Sequence, residues 1–341
     1  MPAVNEPIRA PELSGGAWIN SAPLSLAGLR GRAVLVFFWD YACVNCLRTL
    51  PYLSAWWAQY RDLGLAMVGV HSPQFPFSRH EAYAREAAAR LQIAFPVLLD
   101  SARHTWDAWA NRFWPTQYLV GPDGLIRYFH FGEGDYLGIE AQIQIMVKAL
   151  HPEATLPPLL MPLRAGDEPG AVMAPATPDI YLGGGRGRLG NPEDARDDQV
   201  VTYAEHAPRM PEALYAVGRW MQTAEALRLA GETGALTVQY RARAVHAVLS
   251  PPEAGAGALD VEQDGEPLPA PAHGHDVAPA GAAARVTIAM PRAYHLVTNP
   301  DLGWHELRLR AATPGIAVYV INFIPDVAEE ERPPGPPAAA R

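Results

Sequence analysis

Val34-Leu35-Val36-Phe37-Phe38-Trp39-Asp40-Tyr41-Ala42-Cys43-Val44-Asn45-Cys46-Leu47-Arg48-Thr49-Leu50-Pro51-Tyr52-Leu53 decides the fold. Its first six residues form an unbroken apolar run, the composition of a strand buried on both faces. From Leu47 onward the pattern is helical, with Pro51 predicting a kink because proline removes an intrahelical bond. Between strand and helix stand Cys43 and Cys46, the only two cysteines of 341 residues. A redox dithiol needs that placement: the strand delivers the pair to the sheet edge, and a helix N-terminus there stabilises a thiolate. Residues three apart on a helical turn lie about 5–6 Å from each other, which suits a disulfide. A structural zinc site would need four ligands, and neither a second cysteine pair nor a finger-spaced histidine pair follows. The plain alternative is two buried cysteines acting as small hydrophobes; their spacing directly after a strand favours redox chemistry.

Outward from this block the chain alternates strands and helices. Residues 1–16 read as a loose lead-in, and segments 17–20 and 24–26 as a hairpin around Ser21-Ala22-Pro23. The strand 33–39 leads into a helix over about 43–62. A second buried strand covers 65–70, a helix 79–91, a short strand 95–100 and a helix 106–113. A hairpin joins 116–120 to 125–129 through Gly121-Pro122-Asp123-Gly124, and a last helix spans about 138–150. This order predicts an α/β layered domain over residues 1–150. Residues 151–178, rich in Pro, Ala and Gly, read as a semi-extended linker. Short alternating segments then recur at 235–241, 244–249, 258–263, 285–290, 294–298, 305–310 and 316–324, predicting an all-β jelly-roll or β-sandwich domain over 179–326. The composition of 327–341, with Glu329-Glu330-Glu331 and a proline run, predicts a disordered tail.

The length suits two domains, and 49% hydrophobic with 18% charged residues is an ordinary globular balance. A net charge of −9 without a basic stripe argues against nucleic-acid binding. No apolar run is long enough to span a membrane, and the first residues lack a basic segment with an apolar core, so no signal peptide is expected. Those absences predict a cytoplasmic protein.

The block around Cys43 and Cys46 resembles the thioredoxin-like domain of DipZ-type proteins and, more loosely, TlpA- and ResA-like thiol-disulfide oxidoreductases. Further matches are Gly69-Val70-His71-Ser72-Pro73-Gln74-Phe75, Trp114-Pro115-Thr116-Gln117-Tyr118-Leu119-Val120 and His130-Phe131-Gly132-Glu133-Gly134. In the second half, Thr177 to Arg186 and Tyr240 to Leu249 are similar to the family's C-terminal module, a β-sandwich resembling a carbohydrate-binding module. The resemblance covers about residues 10–325. It implies thiol-disulfide exchange with protein substrates, an electron donor or acceptor, a glycan or peptide ligand for the β-sandwich, and a periplasmic alternative for the compartment. The family often carries a membrane domain that is not present in this sequence. Two positions depart from its pattern: Asp40 stands where Thr is usual, and Gln74 where Glu is usual.

On this reading Cys43 attacks, because it precedes the first helical turn, and Cys46, one turn deeper, resolves. The exchange needs no cofactor beyond the Cys43–Cys46 pair and no metal. Pro115 is expected in the cis form facing the dithiol, with Trp39, Tyr41 and Trp114 as an aromatic collar that holds substrate or merely caps the core. Asp40 and His71 are candidates for proton transfer, while Asp100 and Glu133 read as loop carboxylates. Two motifs are decoys. Gly185-Arg186-Gly187-Arg188-Leu189-Gly190 fits a dinucleotide fingerprint but lacks the helix and βαβ context, and His273-Gly274-His275-Asp276 lacks a third metal ligand. The competing functions are a peroxiredoxin-like thiol peroxidase, which wants Thr where Asp40 stands, and a binding module with a vestigial dithiol.

Overall fold

The computed structural model describes residues 8–193 and 197–328. The chain forms two compact units that divide between Leu163 and Arg164. The first is a six-stranded mixed sheet with helices. Its strands are β1 (Trp18–Ile19), β2 (Ala33–Trp39), β3 (Leu65–His71), β4 (Val97–Leu99), β5 (Thr116–Val120) and β6 (Ile126–Phe131), in the order β1-β4-β3-β2-β5-β6. Its helices are α1 (Val44–Tyr60), α2 (Glu81–Arg90), α3 (His104–Ala108) and α4 (Tyr136–Leu150). β2 and β3 run parallel, and β5 returns antiparallel against β2 with Phe38 opposite Thr116.

The fully buried β2 sends alternate side chains to opposite faces. Val34, Val36 and Phe38 join Val68, Val70, Trp106, Trp109 and Tyr118 in one core, while α1 and α4 pack on each other and on β3 and β2. Both central strands are therefore covered on two sides, as their unbroken apolar runs require. The C-terminal end of β2, which leads into the cysteine turn, lies at the same sheet end as the start of β5.

Several local expectations are corrected. The hairpin over 17–26 does not form; Trp18 and Ile19 pair with Leu98 and Val97 of β4 instead. From Ile8 onward the lead-in is tied down, with Ile126 N donating to Ile8 O and Ala10 N to Gly124 O. The third helix occupies 104–108 rather than 106–113, ending before Ala110, whose φ is 48°. Pro51 lies inside α1, which is one helix from Val44 to Tyr60.

The second unit is a ten-stranded antiparallel sheet: β7 (Ile180–Tyr181), β8 (Val200–Tyr203), β9 (Leu214–Gln222), β10 (Leu227–Ser250), β11 (Gly257–Gln263), β12 (Glu266–Pro267), β13 (Val277–Ala280), β14 (Ala283–Ile288), β15 (Arg292–Ala311) and β16 (Ala317–Ile324). The all-β class holds, but the segments divide differently. The stretches 235–241 and 244–249 are one strand, β10, with register shifts near Ala242 and Val245, and 294–298 and 305–310 merge likewise into β15. β7, β8, β9, β12 and β13 arise where no strand was expected. One core, containing Trp220, Tyr240, Val261, Val286, Tyr294 and Phe323, serves the sheet.

The proline-rich segment is anchored rather than free at both ends. Leu160 N donates to Glu140 Oε2 at 2.8 Å and Leu163 N to Tyr52 Oη at 2.7 Å within the first unit, and Ala174 N donates to Asp326 O at 2.9 Å within the second. Of the expected tail, Val327 bridges Met173, whereas Glu329 to Glu331 lie outside the described residues. Among the described residues no helix is long and apolar enough to cross a membrane.

Candidate active site

The turn after β2 places Cys43 as the N-cap of α1, with extended backbone (φ −80°, ψ 111°). Its Sγ accepts a hydrogen bond from Cys46 N at 3.2 Å, so the sulfur occupies the site where a cap oxygen usually satisfies a free helix amide. No acidic side chain stands in that first turn. Cys43 is 7% exposed and Cys46 0%, and both are free thiols. Cys46 is thus the deeper of the two residues. Burial pushes the Cys46 thiol well above its ordinary value, reinforced by its hydrogen bond to Cys43 and the charge of Cys43, and finally by the charge of Asp40.

Asp40 is fully buried. Its Oδ1 accepts from Ala42 N at 2.6 Å and its Oδ2 from Gln74 N at 2.7 Å, so one carboxylate clamps the cysteine turn to the loop after β3. Gln74 contributes that backbone amide, while its side-chain Oε1 is buried without a partner. His71 ends β3 opposite Trp39. Its ring is 1% exposed and neither nitrogen makes a hydrogen bond. It lies parallel to Tyr41 (centroids 5.3 Å apart, 9°) and edge-on to Trp39 (5.4 Å, 82°). Burial lowers its pKa against the opposing pull of Asp40. The sequence-based alternative of an ordinary hydrogen-bonded histidine is therefore replaced by a stacked, unpartnered one.

The aromatic collar is not assembled at the surface. Trp39 and Tyr41 are 1% and 0% exposed and pack on His71. Trp114 is partly buried, donating from Nε1 to Ser72 O at 2.8 Å and stacking on Trp106 at 4.0 Å beneath the Arg103 guanidinium. The Trp114–Pro115 bond is cis, and the Pro115 carbonyl accepts from Gly132 N at 2.8 Å. The exposed aromatics beside Pro115 are instead Phe113 and Phe131, which nothing in the sequence marked because both fall in apolar local patterns.

Asp100 is structural: it accepts from Ser72 Oγ, Thr105 N and Trp106 N, tying α3 to the end of β3. Glu133 pairs with Arg48 at 2.7 Å. In the second unit, residues 185–190 are turn and irregular chain and open no helix, and Asp276 is held by Arg292 and His295 N. Trp304, 56% exposed, borders a groove of about 350 Å³ with Gln239, Asp264 and Glu306, whereas Tyr203, Tyr215, Trp220, Tyr240 and Tyr294 are core residues.

Comparison with known proteins agrees with this division. Residues 9–129 match the AhpC/TSA family and residues 177–323 the family described as thioredoxin like C-terminal domain. Protein DipZ of Mycobacterium tuberculosis is 33% identical over 270 residues, covering 78% of this chain and 38% of DipZ. The chain thus spans about two fifths of that relative's length. Thiol-disulfide oxidoreductase YkuV of Bacillus subtilis is 28% identical over 134 residues, covering 39% of this chain and 90% of YkuV. A thioredoxin-like protein solved in its oxidised form is 27% identical and covers 42% of this chain and 97% of its own, with a TM-score of 0.39. The DipZ match, at 270 residues, is long enough that it must run across both units. By sequence the chain is similar to DipZ along most of its own length, with the AhpC/TSA match preceding the match to the thioredoxin like C-terminal domain.

Proposed function

We propose that the chain catalyses thiol-disulfide exchange with protein substrates through Cys43 and Cys46. The observation that carries this is the depth order of the two sulfurs at one helix N-terminus, with Cys43 Sγ taking the Cys46 amide. In the reducing direction, Cys43 thiolate attacks one sulfur of a substrate disulfide, and the other leaves as a thiolate. Cys46 then loses its proton and attacks Cys43, freeing the second substrate thiol and leaving a Cys43–Cys46 disulfide. The reverse sequence oxidises a substrate dithiol. The sulfurs carry the electrons, so the step calls for no further cofactor. Cys46→Ser is expected to accumulate a mixed disulfide with its partner and Cys43→Ser to capture none. Trapping from a cell extract followed by non-reducing electrophoresis tests this, and the captured partner identifies the compartment and the electron donor or acceptor. Capture by neither variant overturns the proposal.

The AhpC/TSA match favours one second reading, a thiol peroxidase. Asp40 stands where that chemistry wants a threonine hydroxyl, and its carboxylate is occupied by two backbone amides. Rapid peroxide turnover that survives Cys46→Ser would support the peroxidase. For the second unit we propose recognition of a protein substrate or glycan, with the groove beside Trp304 as the place to test by Trp304→Ala.

A further inference from the structure

Among the described residues, Arg103 carries a charge that no carboxylate balances. Its guanidinium carbon lies 4.6 Å from the ring centroid of Trp106 and 5.3 Å from that of Trp114, over two indoles stacked 4.0 Å apart. Aromatic faces hold a planar guanidinium in place while its N–H edge stays available to a carboxylate. Its half-buried side chain finds no protein acceptor, and its Nε is buried without a partner. Asp100, three residues earlier, has both oxygens committed to Ser72 Oγ, Thr105 N and Trp106 N. Asp107, one turn along α3, is exposed and forms no ion pair with it. Arg48 of α1, by contrast, is neutralised by Glu133 at 2.7 Å. Leaving a partly buried donor edge without an acceptor is unfavourable. The backbone of Arg103 is also in the left-handed region, at φ 63°, a conformation that costs energy in a residue with a side chain.

Arg103 stands on the same sheet rim as the dithiol. In the parallel strands Trp39 of β2 lies opposite His71 of β3, and His71 lies opposite Leu99 of β4. Cys43 follows Trp39 by four residues, and Arg103 follows Leu99 by four. The two strand ends are separated by two inter-strand spacings, about 10 Å. Trp114 spans that interval. Its Nε1 donates to Ser72 O just past β3, its ring meets Trp106 and Arg103, and the next residue is Pro115. An extended peptide advances about 3.3 Å per residue, so a substrate side chain about two to four residues from a cysteine bound at Cys43 reaches the guanidinium.

We propose that Arg103, held on Trp106 and Trp114, is a specificity residue that pairs with an acidic side chain of the protein substrate, about two to four residues from its reactive cysteine. This rests on the exchange function proposed above and names the substrate class for that site: protein disulfides with Asp or Glu flanking the bond. A carboxylate on the guanidinium supplies the acceptor that the fold withholds. Two parallel N–H···O bonds fix its direction, so the pairing also holds the substrate in register with Cys43 during the exchange.

The test uses the full chain and three peptide disulfides that differ only in the second to fourth residues on each side of one cysteine, which are all Glu, all Gln or all Lys. The expected order of kcat/KM is Glu above Gln above Lys, with Glu about fivefold above Gln at low ionic strength. In 1 M salt, where screening acts within about 3 Å, the three are expected to converge. Arg103→Gln is expected to remove the preference for Glu over Gln. Arg103→Lys is expected to keep part of it, because the charge remains and the planar fork does not. Arg103→Glu is expected to reverse the order so that the Lys peptide leads, a result that loss of folding cannot produce. Equal rates on the Glu and Gln peptides in the unaltered chain, or a Glu preference that survives in either variant lacking the positive charge, would overturn the pairing while leaving exchange intact. No turnover of any of the three peptides by the unaltered chain would overturn both.

Discussion

At His71 a buried imidazole makes no hydrogen bond and is held by ring contacts with Tyr41 and Trp39. Unmet polar groups in a protein interior cost about 1–3 kcal/mol each, and protonating this ring would add a buried charge. Its folded pKa is therefore depressed below the unfolded value of about 6.5. The stability from keeping it neutral is present above that value and is lost as pH falls through the folded pKa. Denaturant midpoints are expected to fall below about pH 6.5, with His71→Leu flattening that acid limb; a pH series on both proteins checks it. Cys46 works with the opposite sign. Its folded pKa is raised, so its contribution is complete below the unfolded thiol value of about 8.5 and declines as pH climbs toward the folded one. Asp40→Asn removes one of the charges raising it and is expected to move the Cys46 titration downward, read by thiolate absorbance in the ultraviolet. The sequence placed Asp40 close to the thiols but gave no sign that both its oxygens are taken by amides, since Gln74 N arrives from 34 residues away.

At the scale of elements, two buried carboxylates fasten irregular chain to regular structure. Asp100 satisfies two free amides at the start of α3 and the Ser72 hydroxyl. Asp100→Ala leaves these donors unmet, and the loss of a cap with buried hydrogen bonds is expected to lower stability by about 2–4 kcal/mol, measurable by urea unfolding. Glu140 accepts from Tyr60 Oη at 2.6 Å and Leu160 N at 2.8 Å. Glu140→Ala is expected to release residues 151–163 and speed proteolysis there before the rest of the unit is cut. Elements with strong local patterning were legible: the run 33–39, the hairpin around Gly121 to Gly124, and the alanine-rich α2. Those decided by distant partners were not. β1 has only two residues and exists because Leu98 and Val97 lie beside it. β10 and β15 each pass through a register irregularity that interrupts alternation, so each long strand looks like two short ones.

At the scale of the molecule, each unit closes its own core, and every residue of the candidate dithiol site lies before Leu163. Residues 1–163 alone are expected to reduce cystine at a rate within about twofold of the full chain, since units with separate cores behave independently; a loss far beyond that would show that the second unit supports the chemistry itself. The placement of the cysteines between β2 and α1 was visible from spacing, whereas the surface around them was not, because exposure depends on which strands neighbour Thr116. With no other cysteine in 341 residues and only Cys43 of the pair keeping any exposure, a bulky maleimide becomes a counter of conformational state. It should tag one sulfur in the native reduced protein, two after denaturation and none once the bridge has closed, so intact mass alone reports both folding and oxidation.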